Sequence, residues 1–177
     1  TMVGWRDVPA DLSDHARLKR LDAHLPRNAL LISSDLIRAS ATADVLAHGR
    51  HRLPHDPALR EMHFGDWDGQ PWDVIARTHP DLSRAYWEDP GPHAPPGGES
   101  WNAASARVTL AVDRLISAHR GRDLVIVAHF GAILTQVQAA RACTPVEAFA
   151  QSIDNLSVTR IDHGPQGRAL IAVNHCP

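Results

Sequence analysis

Residues 124–134 read Leu-Val-Ile-Val-Ala-His-Phe-Gly-Ala-Ile-Leu, an aliphatic run that stops on a histidine where a helical pattern begins. A short, continuous apolar run of this kind fits a strand buried on both faces, as in parallel sheets. Parallel neighbours cannot be joined by a tight hairpin; they need a long crossover, usually a helix. The stretch therefore commits the chain to strand–helix–strand units. Ala29-Leu30-Leu31-Ile32-Ser33 repeats the design, closing on Ser34-Asp35 ahead of a helix expected from about Leu36 to His48 and ended by Gly49.

The remaining elements fall around these two strands. Asp11-Leu12-Ser13 offers an N-cap, and Leu18, Leu21 and Leu25 recur at helical spacing until Pro26. Two shorter helices are predicted between Pro71 and Glu88. A long helix from Ser100 to His119 places Ala104, Val108, Ala111 and Leu115 on one face. Strand Leu124–Ala128 leads into a helix from Gly131 to about Ala142, and Ser157–Ile161 with Ala169–Val173 suggests a closing hairpin. The Pro/Gly-rich stretch 89–98 reads as a loop within the domain. Alternating strands and helices predict an α/β three-layer sandwich, a mainly parallel sheet flanked by helices, as a single domain over residues 1–177. Ligands of such sheets bind beyond the carboxyl ends of the strands. His129 and Ser33-Ser34-Asp35 occupy those ends.

Composition narrows the partners. The formal net charge of −2 leaves no basic stripe for nucleic acid or an anionic membrane surface. No apolar run approaches the roughly 20 residues of a membrane span, and Thr1-Met2-Val3-Gly4-Trp5 shows no signal-segment pattern. Two cysteines are too few for a disulfide framework, so reduced thiols and a cytoplasmic location are expected.

Three positions could carry chemistry. His129 ends a strand with a glycine two residues on; an imidazole of ordinary pKa about 6.5 there can donate to a phosphoryl oxygen, and the backbone N–H of Phe130 can join it. Arg38 lies one turn into the helix after the first strand, where free N–H groups attract anions and a guanidinium fork matches phosphate. The bland alternative pairs Arg38 with Asp35 or Asp44 on a solvated face. Glu61, two residues after Leu59, would share its face under strand alternation; a carboxyl beside apolar groups has a raised pKa and suits a general acid. Its bland alternative is a surface loop with Glu61 paired to Arg60. Asp66 and Asp68 read as turn residues, and the five tryptophans as packing. His48, His51 and His55 are loosely metal-spaced, but Arg50, Arg52 and Pro54 between them suggest a solvated loop. Gly-x-Ser-x-Gly and Gly-x-x-x-x-Gly-Lys-Ser/Thr are absent, which disfavours a serine hydrolase or a P-loop enzyme.

Taken in order, these pieces resemble the histidine phosphatase superfamily, the phosphoglycerate-mutase-like fold. The resemblance is carried by Gly4-Trp5-Arg6-Asp7-Val8-Pro9, Ser33-Ser34-Asp35-Leu36-Ile37-Arg38-Ala39 with Thr42-Ala43, Arg60-Glu61 through Phe64-Gly65-Asp66-Trp67-Asp68-Gly69, Gly97-Gly98-Glu99-Ser100 and Val125-Ile126-Val127-Ala128-His129. It implies two-step phosphoryl transfer through a phosphohistidine, with no metal and no cofactor. Arg38 would clamp the phosphoryl oxygens, Glu61 would protonate the leaving alcohol and then activate water, and His129 would be the second active-site histidine. Phe130 stands where the family usually has glycine, which narrows the pocket but keeps a backbone N–H. The family's first motif, an Arg-His-Gly-like triplet ending the first strand, has no counterpart among the twelve histidines. A segment ahead of Thr1, with one apolar strand ending in Arg-His, is expected to supply the nucleophile.

The Phe64–Gly69 pattern resembles the phosphatase branch, including α-ribazole-phosphatase-like members. The expected function is therefore hydrolysis of a small phosphorylated metabolite, compatible with a homodimer. A catalytically silent member that binds a phospholigand or a partner is the alternative. A phosphoglycerate mutase is disfavoured by the lack of a lysine-rich pocket.

Overall fold

The computed structural model describes residues 1–177. Strand β1 (Leu30–Ser33) is central, with β2 (His51–Arg52) on one side and β3 (Leu124–Val127) on the other, all parallel. Helices α1 (His15–His24) and α2 (Ile37–Val45) cover one face, where Leu31 packs with Leu21, Leu25, Ala43 and Leu46. The long helix α5 (Trp101–Ala118) and α6 (Phe130–Arg141) cover the other, where Ile32 meets Val108, Ala111 and Ala132. This is the three-layer sandwich the sequence predicts. All four residues of β1 are at most 5% exposed, as pairing on both sides and packing on both faces require.

A second core lies beyond the sheet, around Trp67, Trp101, Tyr86, Ile75 and Leu134. It seats α3 (Trp72–Thr78), α4 (Pro80–Glu88) and the short α7 (Pro145–Phe149). The tryptophans divide accordingly. Trp67 and Trp101 are core, whereas Trp72 and Trp87 stack edge to face with each other and stay nearly half exposed, so packing describes only part of the set.

Strands β4 (Val158–Gly164) and β5 (Gly167–His175) form a separate antiparallel hairpin resting on α6. Its Val158, with the preceding Leu156, touches the core that Val125 and Val127 enter, yet β4 does not pair with β3. Strand β3 is therefore paired along one edge only. Its four apolar residues are each half-buried, unlike those of β1.

Three details differ from the sequence reading. The N-cap of α1 is Asp14, whose carboxylate accepts from the Arg17 N–H; Asp11 instead caps the turn at Ser13. The stretch after Pro57 is a 3-10 turn, Pro57–Leu59, rather than a strand. Arg50 is not in a solvated loop: its side chain is fully buried, donating to the carbonyls of Pro26, Leu25 and Leu46 and to Asp22. One guanidinium thus closes the carbonyl ends of both α1 and α2. Arg50→Met keeps the stem but orphans these acceptors, and is expected to cost about 3–5 kcal/mol. Urea unfolding measures it; a loss under about 1 kcal/mol would mean the carbonyls find other donors.

Candidate active site

The register of β1 against β3 sets Ser33 beside Val127, and the Ser34 N–H donates to the Val127 carbonyl at 3.3 Å. The two strand ends therefore meet, and the residues that follow them face each other. His129 is the extended N-cap residue of α6, but its ring does not cap the helix. It turns inward, 7% exposed, with Nε2 2.7 Å from the Ser34 Oγ. Arg38 Nε donates to His129 Nδ1 at 3.2 Å. An Nδ1 that accepts must be bare, so the proton sits on Nε2 and is donated to Ser34. Burial, reinforced by the charges of Arg38 and Arg107 against a weaker pull from Asp35, pushes the imidazole pKa down to about 3. The resting ring is neutral.

Arg38 lies in the first turn of α2. Its Nη1 donates to the Arg6 carbonyl at 3.0 Å and its Nη2 to the Gly4 carbonyl at 2.6 Å. That segment is itself tied down. The Asp68 carboxylate accepts from the Gly4 and Arg6 N–H groups at 3.0 and 2.8 Å, and Asp7 accepts from the Ile37 N–H at 2.6 Å. Asp68 is thus more than a turn residue. The solvated-face alternative for Arg38 does not hold, because Asp35 pairs with Arg60 and Asp44 with Arg52.

Glu61 is buried, and its two oxygens accept from the Met62 N–H at 2.9 Å and the Gly131 N–H at 3.1 Å. The second bond seats it on the N-terminus of α6, next to His129. Strand alternation is not the reason it points inward with Leu59: Leu59 ends a 3-10 turn, and Glu61 lies in the irregular backbone that follows. Burial raises its pKa, while the backbone donors and Arg38 restrain the rise. Arg60 is engaged by Asp35 and leaves Glu61 free. The backbone around Glu61 is fixed from two sides. The Trp5 indole N–H donates to the Glu61 carbonyl at 2.7 Å, and Arg107 donates to the carbonyls of Ala58, Arg60 and Glu61 while pairing with Glu99. Arg107 had no signal in the sequence, since it lies on α5 beside the core position Val108 and acts across a fold-dependent contact.

Gly131 explains why the carboxylate can come so close. A Cβ there would stand 2.5 Å from Glu61 Oε1 and 3.0 Å from Met62 Cγ. Gly131→Ala should therefore displace the carboxylate while keeping α6, where alanine is favoured over glycine by roughly 0.5–1 kcal/mol. The expected result is a protein that still folds but is destabilised by about 1–3 kcal/mol, with turnover down by at least about tenfold. Unchanged turnover would remove Glu61 from the reaction.

The structure thus brings Arg38 and His129 into direct contact and sets Glu61 beside them. Phe130 follows His129 and is 43% exposed. His48, His51 and His55 do not converge: His51 is in β2, and His55 bonds to Ser33 and Arg52. The arrangement offers a buried fork of donors, a neutral imidazole and a carboxyl of raised pKa at a helix N-terminus, a combination suited to an oxyanion and one mobile proton.

Comparison with known proteins gives these residues a context. A family model described as the histidine phosphatase superfamily (branch 1) matches residues 1–175. Phosphoglycerate mutase-like protein 4 of Arabidopsis thaliana is 33% identical over 88% of this chain and 69% of its own length. A glucosyl-3-phosphoglycerate phosphatase of Mycolicibacterium vanbaalenii is 35% identical over 82% of this chain and 68% of its own. Some mycobacterial relatives, including the bifunctional protein Rv2228c of Mycobacterium tuberculosis, are matched over 33% of their length, so the chain corresponds to only part of them. Among solved structures, Bacillus stearothermophilus YhfR superposes with a TM-score of 0.85 at 29% identity, covering 97% of this chain and 87% of that one. The α-ribazole phosphatase of Shigella flexneri shares the fold, with a TM-score of 0.76 at 23% identity, over 97% of this chain and 87% of its own.

Proposed function

The chain belongs to the histidine phosphatase superfamily, branch 1, and on that premise we propose that it is a metal-independent phosphomonoesterase acting on a small phosphorylated metabolite. The observation that carries this reading is the junction of the two strand ends, where Arg38 meets His129 at 3.2 Å and Glu61 sits on the same helix start through Gly131. In it Arg38 holds the phosphoryl oxygens, His129 stabilises the charge that builds on them, and Glu61 gives its proton to the leaving alcohol before taking one from water. The Phe130 N–H, at the start of α6, is a further donor for the anion.

The nucleophile in this reading is a histidine delivered by an additional strand alongside β3. The unpaired edge of β3 supports this, because it opens beside His129. A phosphatase homologue at 35% identity favours hydrolysis over phosphoryl transfer between hydroxyls.

The test is release of inorganic phosphate by the full-length protein from sugar phosphates, nucleotides and α-ribazole phosphate, in the presence of EDTA. Glu61→Gln should then lower turnover of alkyl phosphates by about 10²-fold or more, and of activated aryl phosphates far less, since their leaving groups need little protonation. Equal losses on both classes would take the acid role away from Glu61. Phosphate binding without turnover on any substrate would favour a silent phospholigand-binding member instead.

A further inference from the structure

The two side chains that would face an anion, His129 and Arg38, are largely engaged with each other and with their neighbours. His129 donates through Nε2 to Ser34 and accepts through Nδ1 from Arg38. Arg38 spends Nε on that histidine and one N–H of each terminal nitrogen on Gly4 and Arg6. A guanidinium offers a bidentate pair of donors along its Nε side or across its two terminal nitrogens. Here the first pair is interrupted by His129, and the terminal nitrogens each share one of their two N–H groups with a carbonyl. An anion that seats on the Nε side must displace His129; one that seats on the terminal nitrogens competes with the carbonyls.

The two displacements differ in difficulty. The Gly4 and Arg6 carbonyls belong to a segment held by Asp68, by the Ile37 N–H bond to Asp7 and by the Trp5 bond to Glu61. The Gly4 carbonyl is part-buried, so losing Arg38 would leave it short of a partner. The Nε bond to His129 is a single contact at 3.2 Å, and Nδ1 can recover a partner by gaining a proton. We propose that a tetrahedral dianion takes Arg38 Nε away from His129 and that His129 Nδ1 gains a proton from solvent in the same event, turning from acceptor into donor to the anion. Ser34 is the positioning residue: fully buried, it keeps Nε2–H engaged and so leaves Nδ1 as the only site for the proton.

The charges facing His129 are consistent with this exchange. Arg38 on α2 and Arg107 on α5 oppose a charged ring in the free site, and Asp35 after β1 favours one. Arg107 is paired with Glu99 and Asp35 with Arg60. A dianion bound on Arg38 offsets the nearest opposing cation and adds its own attraction for an imidazolium. Glu61, the other titratable group beside the N-terminus of α6, is the rival proton acceptor.

This inference rests on the pocket binding a phosphoryl group. Sulfate is the probe, since it is tetrahedral, doubly charged and does not titrate near neutrality. Calorimetric titration in buffers of different ionisation enthalpy should show close to one proton taken up per sulfate near pH 6. Affinity should fall about tenfold per pH unit through that range. Glu61→Gln should keep the uptake; His129→Asn should abolish it while weaker binding on Arg38 persists. Sulfate binding without uptake, or uptake lost in Glu61→Gln and kept in His129→Asn, would overturn the inference and leave the phosphatase reading intact. Failure of both sulfate and inorganic phosphate to bind the wild-type protein would overturn both.

Discussion

His129→Ala in the full-length protein should lower kcat/KM by about 10²–10³-fold, the range seen when a preorganised donor to a developing oxyanion is removed. At about 1.4 kcal/mol per tenfold, that is roughly 3–4 kcal/mol of transition-state stabilisation. The same substitution should cost the fold much less. The ring is neutral and makes two hydrogen bonds, to Ser34 and from Arg38, worth about 1 kcal/mol each net. Net stabilities are about 5–15 kcal/mol, so the variant should remain folded. Arg38 in that variant is freed from Nδ1, so phosphate affinity should fall less than turnover. Steady-state kinetics with a urea titration separates the two effects. Turnover within about threefold of wild type would place the chemistry elsewhere, whereas a matched collapse of fold and rate would make His129 a structural residue.

The parts of this site that were legible in the sequence are those fixed by local pattern. Leu30–Ser33 and Leu124–Val127 announced themselves as short apolar runs, and His129 and Arg38 followed from their distance to the strand ends. The long helix from Ser100, with Ala104, Val108, Ala111 and Leu115 as the buried stripe of α5, followed from helical periodicity. What was not legible depends on chain crossings. Arg50 sits between two histidines in a polar stretch, and only the meeting of the carbonyl ends of α1 and α2 makes its burial favourable. Arg107 and Trp5 fix Glu61 from segments 46 and 56 residues away. Glu61 itself was placed for a reason that failed, since it lies in irregular backbone between two 3-10 turns, with no strand period to read. The occupied state of the pocket was hidden for the same reason. Nothing in Gly4-Trp5-Arg6 indicates that its carbonyls will meet Arg38.

The larger expected effect concerns the edge of β3. A strand buried in a parallel sheet satisfies its N–H and C=O groups on both sides, as β1 does between β2 and β3. Leu124–Val127 is as apolar as β1, yet one edge is unpaired and all four residues are half-buried. The hairpin β4–β5 lies on α6, and Leu156 and Val158 reach the core beside Val125 and Val127 without β4 pairing to β3. An open apolar edge of this kind is an invitation to strand addition. We propose that a strand ahead of residue 1, apolar over about 5–6 residues and ending in Arg-His, fills this edge. Its carboxyl end would lie level with His129, so that its histidine meets the phosphoryl group held by Arg38. Two measurements on chains with and without that strand should agree. Hydrogen exchange of the β3 amides that do not donate to β1 should slow by orders of magnitude, because they acquire ladder partners. Phosphatase turnover should rise from undetectable to a rate that Arg-His→Arg-Ala in the added strand abolishes. Turnover by residues 1–177 alone, or β3 amides that exchange equally in both chains, would sink the proposal. The first of these results would require a histidine already within the chain to be the nucleophile, and His129, the one in contact with Arg38, would be the residue to trap as a phosphohistidine.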